Sequence, residues 1–97
     1  MTKARRYTNA FEAVGFPPIE AEHLRIRADL MTEVERLIEA RGLTQAEAAK
    51  ALQVSQPRIS DLMRGKIDRF SIDTLVEMLS RAGADVTVKV RRRKSAA

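Results

Sequence analysis

Between Ser55 and Arg69 the chain gathers side chains suited to recognition by hydrogen bonding: Ser55, Gln56, Arg58, Ser60, Asp61, Arg64, Lys66 and Arg69. A glutamine presents the paired donor and acceptor that an adenine edge matches. An arginine forks onto the two acceptors of a guanine, and each such pair is worth about 1 to 3 kcal/mol of discrimination when well placed. Bond-breaking chemistry lacks its parts. Ser55 and Ser60 have no basic partner in sequence to activate them, and capping accounts for such hydroxyls. His23 stands on a charged stretch as the one histidine, with no cysteine beside it, which does not make a metal site. Glu33, Glu35 and Glu39 read as a solvated helix face rather than a pair of catalytic carboxylates. Neither an enzyme nor a cofactor is expected.

Those side chains need rigid elements to position them. Leu24, Met31, Val34, Leu37 and Ile38 recur with helical spacing after the Pro17-Pro18 pair, which predicts an amphipathic helix over residues 19 to 41 closed by Arg41-Gly42. Thr44 and Glu47 form a capping box that starts a short helix ending near Leu52, with Ala46, Ala49 and Leu52 read as its inward face. After Gln53-Val54, Ser55 offers an N-cap and Pro57 falls in the first turn of another short helix that Gly65 stops. Ile59 and Leu62 turn inward on it. Ser71 then caps a further helix carrying Ile72, Leu75, Leu79 and Ala82 on one face up to Gly83. Met31, Met63 and Met78 serve most simply as core filler.

Beyond Gly83 the period changes to two. Val86, Val88 and Val90 alternate with Asp85, Thr87, Lys89 and Arg91, which predicts one strand. A lone strand cannot stand by itself, so the expected partner is the same strand of a second subunit in an antiparallel ribbon. A chain of 97 residues is also small enough for a shared dimer core to add useful stability.

Residues 43 to 65, LTQAEAAKALQVSQPRISDLMRG, meet the demands of a helix-turn-helix: two short helices, small residues where they touch, a tight turn and a polar outer face on the second helix. The stretch resembles the XRE or lambda-repressor-type helix-turn-helix family in Thr44-Gln45, Ala49, Val54-Ser55, Ile59-Ser60 and Gly65. The resemblance implies a mainly α, four- or five-helix domain that binds double-stranded DNA. It places Gln56, Pro57, Arg58, Ser60 and Asp61 toward base edges, and Thr44, Gln45, Ser55, Arg64, Lys66 and Arg69 toward the DNA backbone. Asp61 has two readings: it accepts from a cytosine, or, three residues from both Arg58 and Arg64, it orients one of them, the second being favoured. Where the family often has a glycine in the turn this chain has Gln53, so a left-handed backbone there would carry strain.

Over about residues 10 to 92 the chain is similar to small HigA-like antitoxins, on the grounds of its size, the FEAVGFPP segment and the terminal valine strand. That similarity implies a homodimer on an inverted-repeat operator and a RelE/HigB-like protein toxin as partner. Residues 1 to 18 are expected to form a flexible arm whose Phe11, Val14 and Phe16 dock on the core, meet the toxin or stay exposed. Residues 19 to 91 form the DNA-binding domain with its dimerisation strand, and residues 92 to 97 a basic tail. Charge divides elsewhere: residues 1 to 41 balance, and residues 42 to 97 carry the whole net charge of +5. The absence of cysteine excludes disulfides, and no apolar run suits a membrane span or signal peptide, so a cytoplasmic, nucleoid-associated protein is expected.

Overall fold

The computed structural model describes residues 10–92. The order of elements is α1 (Ala10–Ala13), α2 (Pro18–Ala40), α3 (Gln45–Leu52), α4 (Gln56–Met63), a 3-10 turn (Ile67–Arg69) and α5 (Ile72–Arg81). Pro17 caps α2 and Pro18 opens it, where a missing N–H leaves no bond unmade. At 23 residues α2 is the backbone of the fold, and its stripe of Ala21, Leu24, Met31, Val34 and Ile38 is buried. Its exposed flank carries Arg25 on Glu22 and Asp29, and Arg36 on Glu33. Such half-exposed pairs contribute a few tenths of a kcal/mol each. The Glu22 hydrogen bond raises the Arg25 pKa further above its ordinary value, so that cation stays charged.

The core closes where α3, α4 and α5 meet α2. Leu52, Ile59, Leu62, Phe70, Leu75 and Met78 are fully buried there, with Val34 and Ile38 of α2 beneath them. Small residues let α3 and α4 approach closely: Ala49 and Leu52 are buried as expected, but Ala48 is buried with them and Ala46 is exposed. The expected inward face of α3 is thus corrected by part of a turn. Two hydrogen bonds from α2 and its C-cap tie the outer elements down: Arg41 Nη2 donates to the Ala82 carbonyl at 2.7 Å, and Arg27 Nη1 to the Ile67 carbonyl at 3.4 Å.

One device ends α2, α3, α4 and α5. After the last turn a residue adopts a left-handed conformation, and crossed bonds satisfy the final carbonyls: Leu43 N–H to Ile38, Val54 N–H to Ala49, Lys66 N–H to Asp61 and Ala84 N–H to Leu79, at 2.9 to 3.1 Å. Glycine supplies the left-handed residue at Gly42, Gly65 and Gly83, but after α3 it is Gln53, with φ 57° and ψ 47°. The left-handed backbone considered at that position is thus present on a residue with a Cβ.

The chain before α2 takes the first of the three courses open to its aromatics, and the segment after α5 departs from expectation. Within residues 10 to 16, α1 packs on α2, and the Phe11 and Phe16 rings meet edge to face with centroids 6.2 Å apart. Four helical residues bury little by themselves, so α1 leans on α2 for its stability. Residues 1 to 9 of the expected arm lie outside the described residues. The predicted mainly α fold holds, but the predicted strand does not form: among the described residues there is no strand, and residues 84 to 92 run without ladder pairing. Val86, Val88 and Val90 are 40%, 81% and 88% exposed. Alternation shows which face a strand would bury, yet only a neighbouring strand satisfies its backbone, and the described residues fold none beside it. Of the expected basic tail, Arg92 is described and exposed, and the rest lies outside the described residues.

Candidate nucleic-acid interface

Caps set the start of both short helices. The Thr44 hydroxyl oxygen accepts from the Glu47 N–H at 3.1 Å while the Glu47 carboxylate accepts from the Thr44 N–H at 2.8 Å. This is the predicted capping box, and it fixes the N-terminus of α3 with Gln45 exposed on its first turn. Ser55 caps α4 through an oxygen that accepts from the Arg58 N–H at 3.3 Å. The left-handed Gln53 reverses the chain between the two helices. Ile59 and Leu62 anchor α4 in the core, so its opposite side faces outward.

On that outer side Gln56 and Pro57 are exposed, whereas Arg58, Ser60 and Asp61 are half-buried. Thr44, Ser55, Arg64 and Arg69 are exposed around them, and Lys66 is half-buried. The structure thus brings the predicted recognition residues together along α4 and its flanks. It separates Phe11, Val14 and Phe16 onto α1 and the turn before α2, and Val86, Val88 and Val90 onto the segment after α5.

Two pairings differ from the expectation. Asp61 orients neither Arg58 nor Arg64: its Oδ2 accepts from Arg69 Nη1 at 3.1 Å, with the Asp61 side chain 18% exposed. The 3-10 turn brings Arg69 back beside α4, a contact across eight residues that helical spacing does not foresee. The Arg58 guanidinium instead lies over the ring of Phe70, its central carbon 5.0 Å from the ring centroid. Phe70 escaped the sequence reading. Its signal was present, because an apolar residue just before the N-cap Ser71 pairs with the one at the fourth position of the helix, here Leu75, as a hydrophobic staple. Among the described residues no group of His, Cys, Asp or Glu could hold a metal ion, and no helix is long and apolar enough to cross a membrane.

Two short helices joined by a tight left-handed turn, the second anchored on one side and polar on the other, define a helix-turn-helix, the class of fold that presents a short helix to the DNA major groove. Residues 13–91 match the family described as helix-turn-helix domain, and the chain belongs to that family. A solved structure described as a "Putative XRE Family Transcriptional Regulator" superposes with a TM-score of 0.72 at 28% identity, over 80% of this chain and 88% of that one. No curated protein matches the chain.

Proposed function

We propose that this chain is a sequence-specific transcription regulator that binds an inverted-repeat operator as a homodimer. The observation that carries this reading is the geometry of α4: Gln56 and Pro57 are exposed at a capped N-terminus, while Ile59 and Leu62 fix the helix to the core. Gln56, Pro57, Arg58, Ser60 and Asp61 are the proposed base-facing residues. Thr44, Gln45, Ser55, Arg64, Lys66 and Arg69 hold the phosphates and set the register. Two-fold symmetry would place two copies of α4 one helical turn of DNA apart, about 34 Å, or a multiple of that. The segment with Val86, Val88 and Val90 is the proposed contact between subunits, since its alternating valines are left uncovered.

The test uses a duplex selected from a randomised pool by the wild-type chain. Arg58→Ala is expected to relax sequence preference, whereas Lys66→Ala weakens selected and scrambled duplexes alike and makes the salt dependence shallower. Equal losses on both duplexes for both variants would refute the assignment.

A second reading has its own observation. Val14 and Ile19 are 75% and 77% exposed, and with the partly exposed Phe16 they leave apolar surface at the junction of α1 and α2, away from α4. This supports the regulator also being an antitoxin that covers a RelE/HigB-like toxin there and represses its own operon. The fold of residues 10 to 16 against α2 supports the plain repressor instead. Expressing the adjacent open reading frame alone and together with this chain separates the two: growth arrest relieved by this chain supports the antitoxin, and harmless expression alone supports the repressor.

A further inference from the structure

Among the described residues most arginines are committed. Arg25 and Arg36 bind carboxylates on their own helix, Arg69 binds Asp61, and Arg27 and Arg41 donate to carbonyls across the core. Arg58 differs. It is half-buried, yet no hydrogen bond or ion pair among the described residues engages its guanidinium; the Phe70 ring holds it instead. A guanidinium lying on a ring face keeps its N–H edge free for a planar acceptor pair.

The ring itself is fixed. Phe70 is 1% exposed, its N–H donates to the Ile67 carbonyl, and the next residue caps α5. So little exposure keeps Phe70 from touching a nucleic acid. We propose that Phe70 is a positioning residue for DNA recognition: it holds the Arg58 side chain on the outer face of α4 before DNA arrives, so that reading of the base opposite Arg58 depends on a buried aromatic. The inference rests on Arg58 being a base contact. A free arginine loses rotamer freedom on binding, and a side chain already held on a ring loses less, which favours the base it fits.

The experiment compares the full-length wild type, Arg58→Ala, Phe70→Leu and the double variant on the selected duplex and on duplexes with single base changes. Arg58→Ala locates the base pair at which preference is lost. Phe70→Leu is expected to lower discrimination at that same pair by about three- to tenfold, and to add nothing in the Arg58→Ala background. The salt dependence stays that of the wild type, which a general loosening of the fold would not preserve.

If Arg58→Ala lowers discrimination but Phe70→Leu leaves it within twofold, Phe70 does not position Arg58 and this inference alone fails. If Arg58→Ala leaves discrimination intact, the base-contact reading fails and takes the inference with it. Should Phe70→Leu not fold, Phe70→Met takes its place. A second measurement needs no variant: the Arg58 δ-methylene protons of the DNA-free wild type are expected to resonate upfield of their usual position under the Phe70 ring current. Unshifted protons would overturn the contact.

Discussion

Gln53 allows a sharp test, because the chain performs the same helix ending elsewhere with glycine. Gln53 holds φ 57° and makes the crossed termination bonds that Gly42, Gly65 and Gly83 make after their own helices. A side chain in that region costs about 1 to 2 kcal/mol through the approach of its Cβ to the following carbonyl oxygen. Replacement by glycine removes that cost but frees the unfolded chain, which takes back about 0.4 to 1 kcal/mol. Gln53 is exposed and its side chain has no hydrogen bond among the described residues, so nothing else is lost. The expected net gain for Gln53→Gly is about 0.5 to 1 kcal/mol, or a Tm higher by roughly 2 to 8 °C for a domain of this size. Urea unfolding followed by helical circular dichroism at a fixed protein concentration measures it, with an unchanged slope as the sign that only stability moved. Gln53→Ala keeps the Cβ and is expected to gain nothing. The mirror substitution, Gly42→Gln, meets no atom within 4 Å of its new Cβ and is expected to lose what Gln53→Gly gains. A Gln53→Gly variant no more stable than the wild type, or a Gln53→Ala variant equally stabilised, would refute the assignment of backbone strain.

Leu52→Ala opens a cavity at a fully buried site where α3 meets the core and is expected to cost about 2 to 5 kcal/mol in the same urea assay. Thr44→Ala removes one side of the capping box and is expected to cost about 1 kcal/mol with DNA preference retained. Asp61→Asn removes the charge that pairs Arg69; with Arg69 free for phosphate, binding to scrambled duplexes is expected to strengthen with a steeper salt dependence, while preference for the selected duplex falls because Asp61 is a proposed base-facing residue, as read by titration at several salt concentrations. Sedimentation at micromolar concentration is expected to show a dimer for the wild type and a shift toward monomer for Val88→Asp, whose valine is 81% exposed in the single chain; a wild-type monomer would remove the proposed subunit contact.

Local chemistry made much of this protein legible in its sequence. The proline start of α2, the Thr44 and Glu47 box, the Ser55 and Ser71 caps and the glycine stops act over three or four residues, so their spacing carries the answer. The same locality marks the break at Gln53-Val54, while the left-handed turn there was implied by the family resemblance. The helix-turn-helix and the polar face of α4 follow from those elements and their apolar period.

What tertiary structure decided involves partners distant in sequence. Arg69 returns to Asp61 by way of the 3-10 turn, and Phe70 reaches under Arg58 because it is stapled into the core ahead of α5. The choice between Ala46 and Ala48 as the packed face depended on how α3 lies against α4, a rotation that a two-turn helix of small residues leaves weakly specified. The valine segment marks the opposite limit: period two names the face a strand would bury, but a strand exists only when another backbone satisfies its N–H and C=O groups, and the described residues bring none beside Val86, Val88 and Val90. The sequence by itself determined the four helices α2 to α5 and where they stop, because capping and periodicity are short-range; α1 exists only against α2. Which charges pair, which arginine is held free and whether the last segment becomes a strand depend on contacts that only folding, or a second chain, supplies.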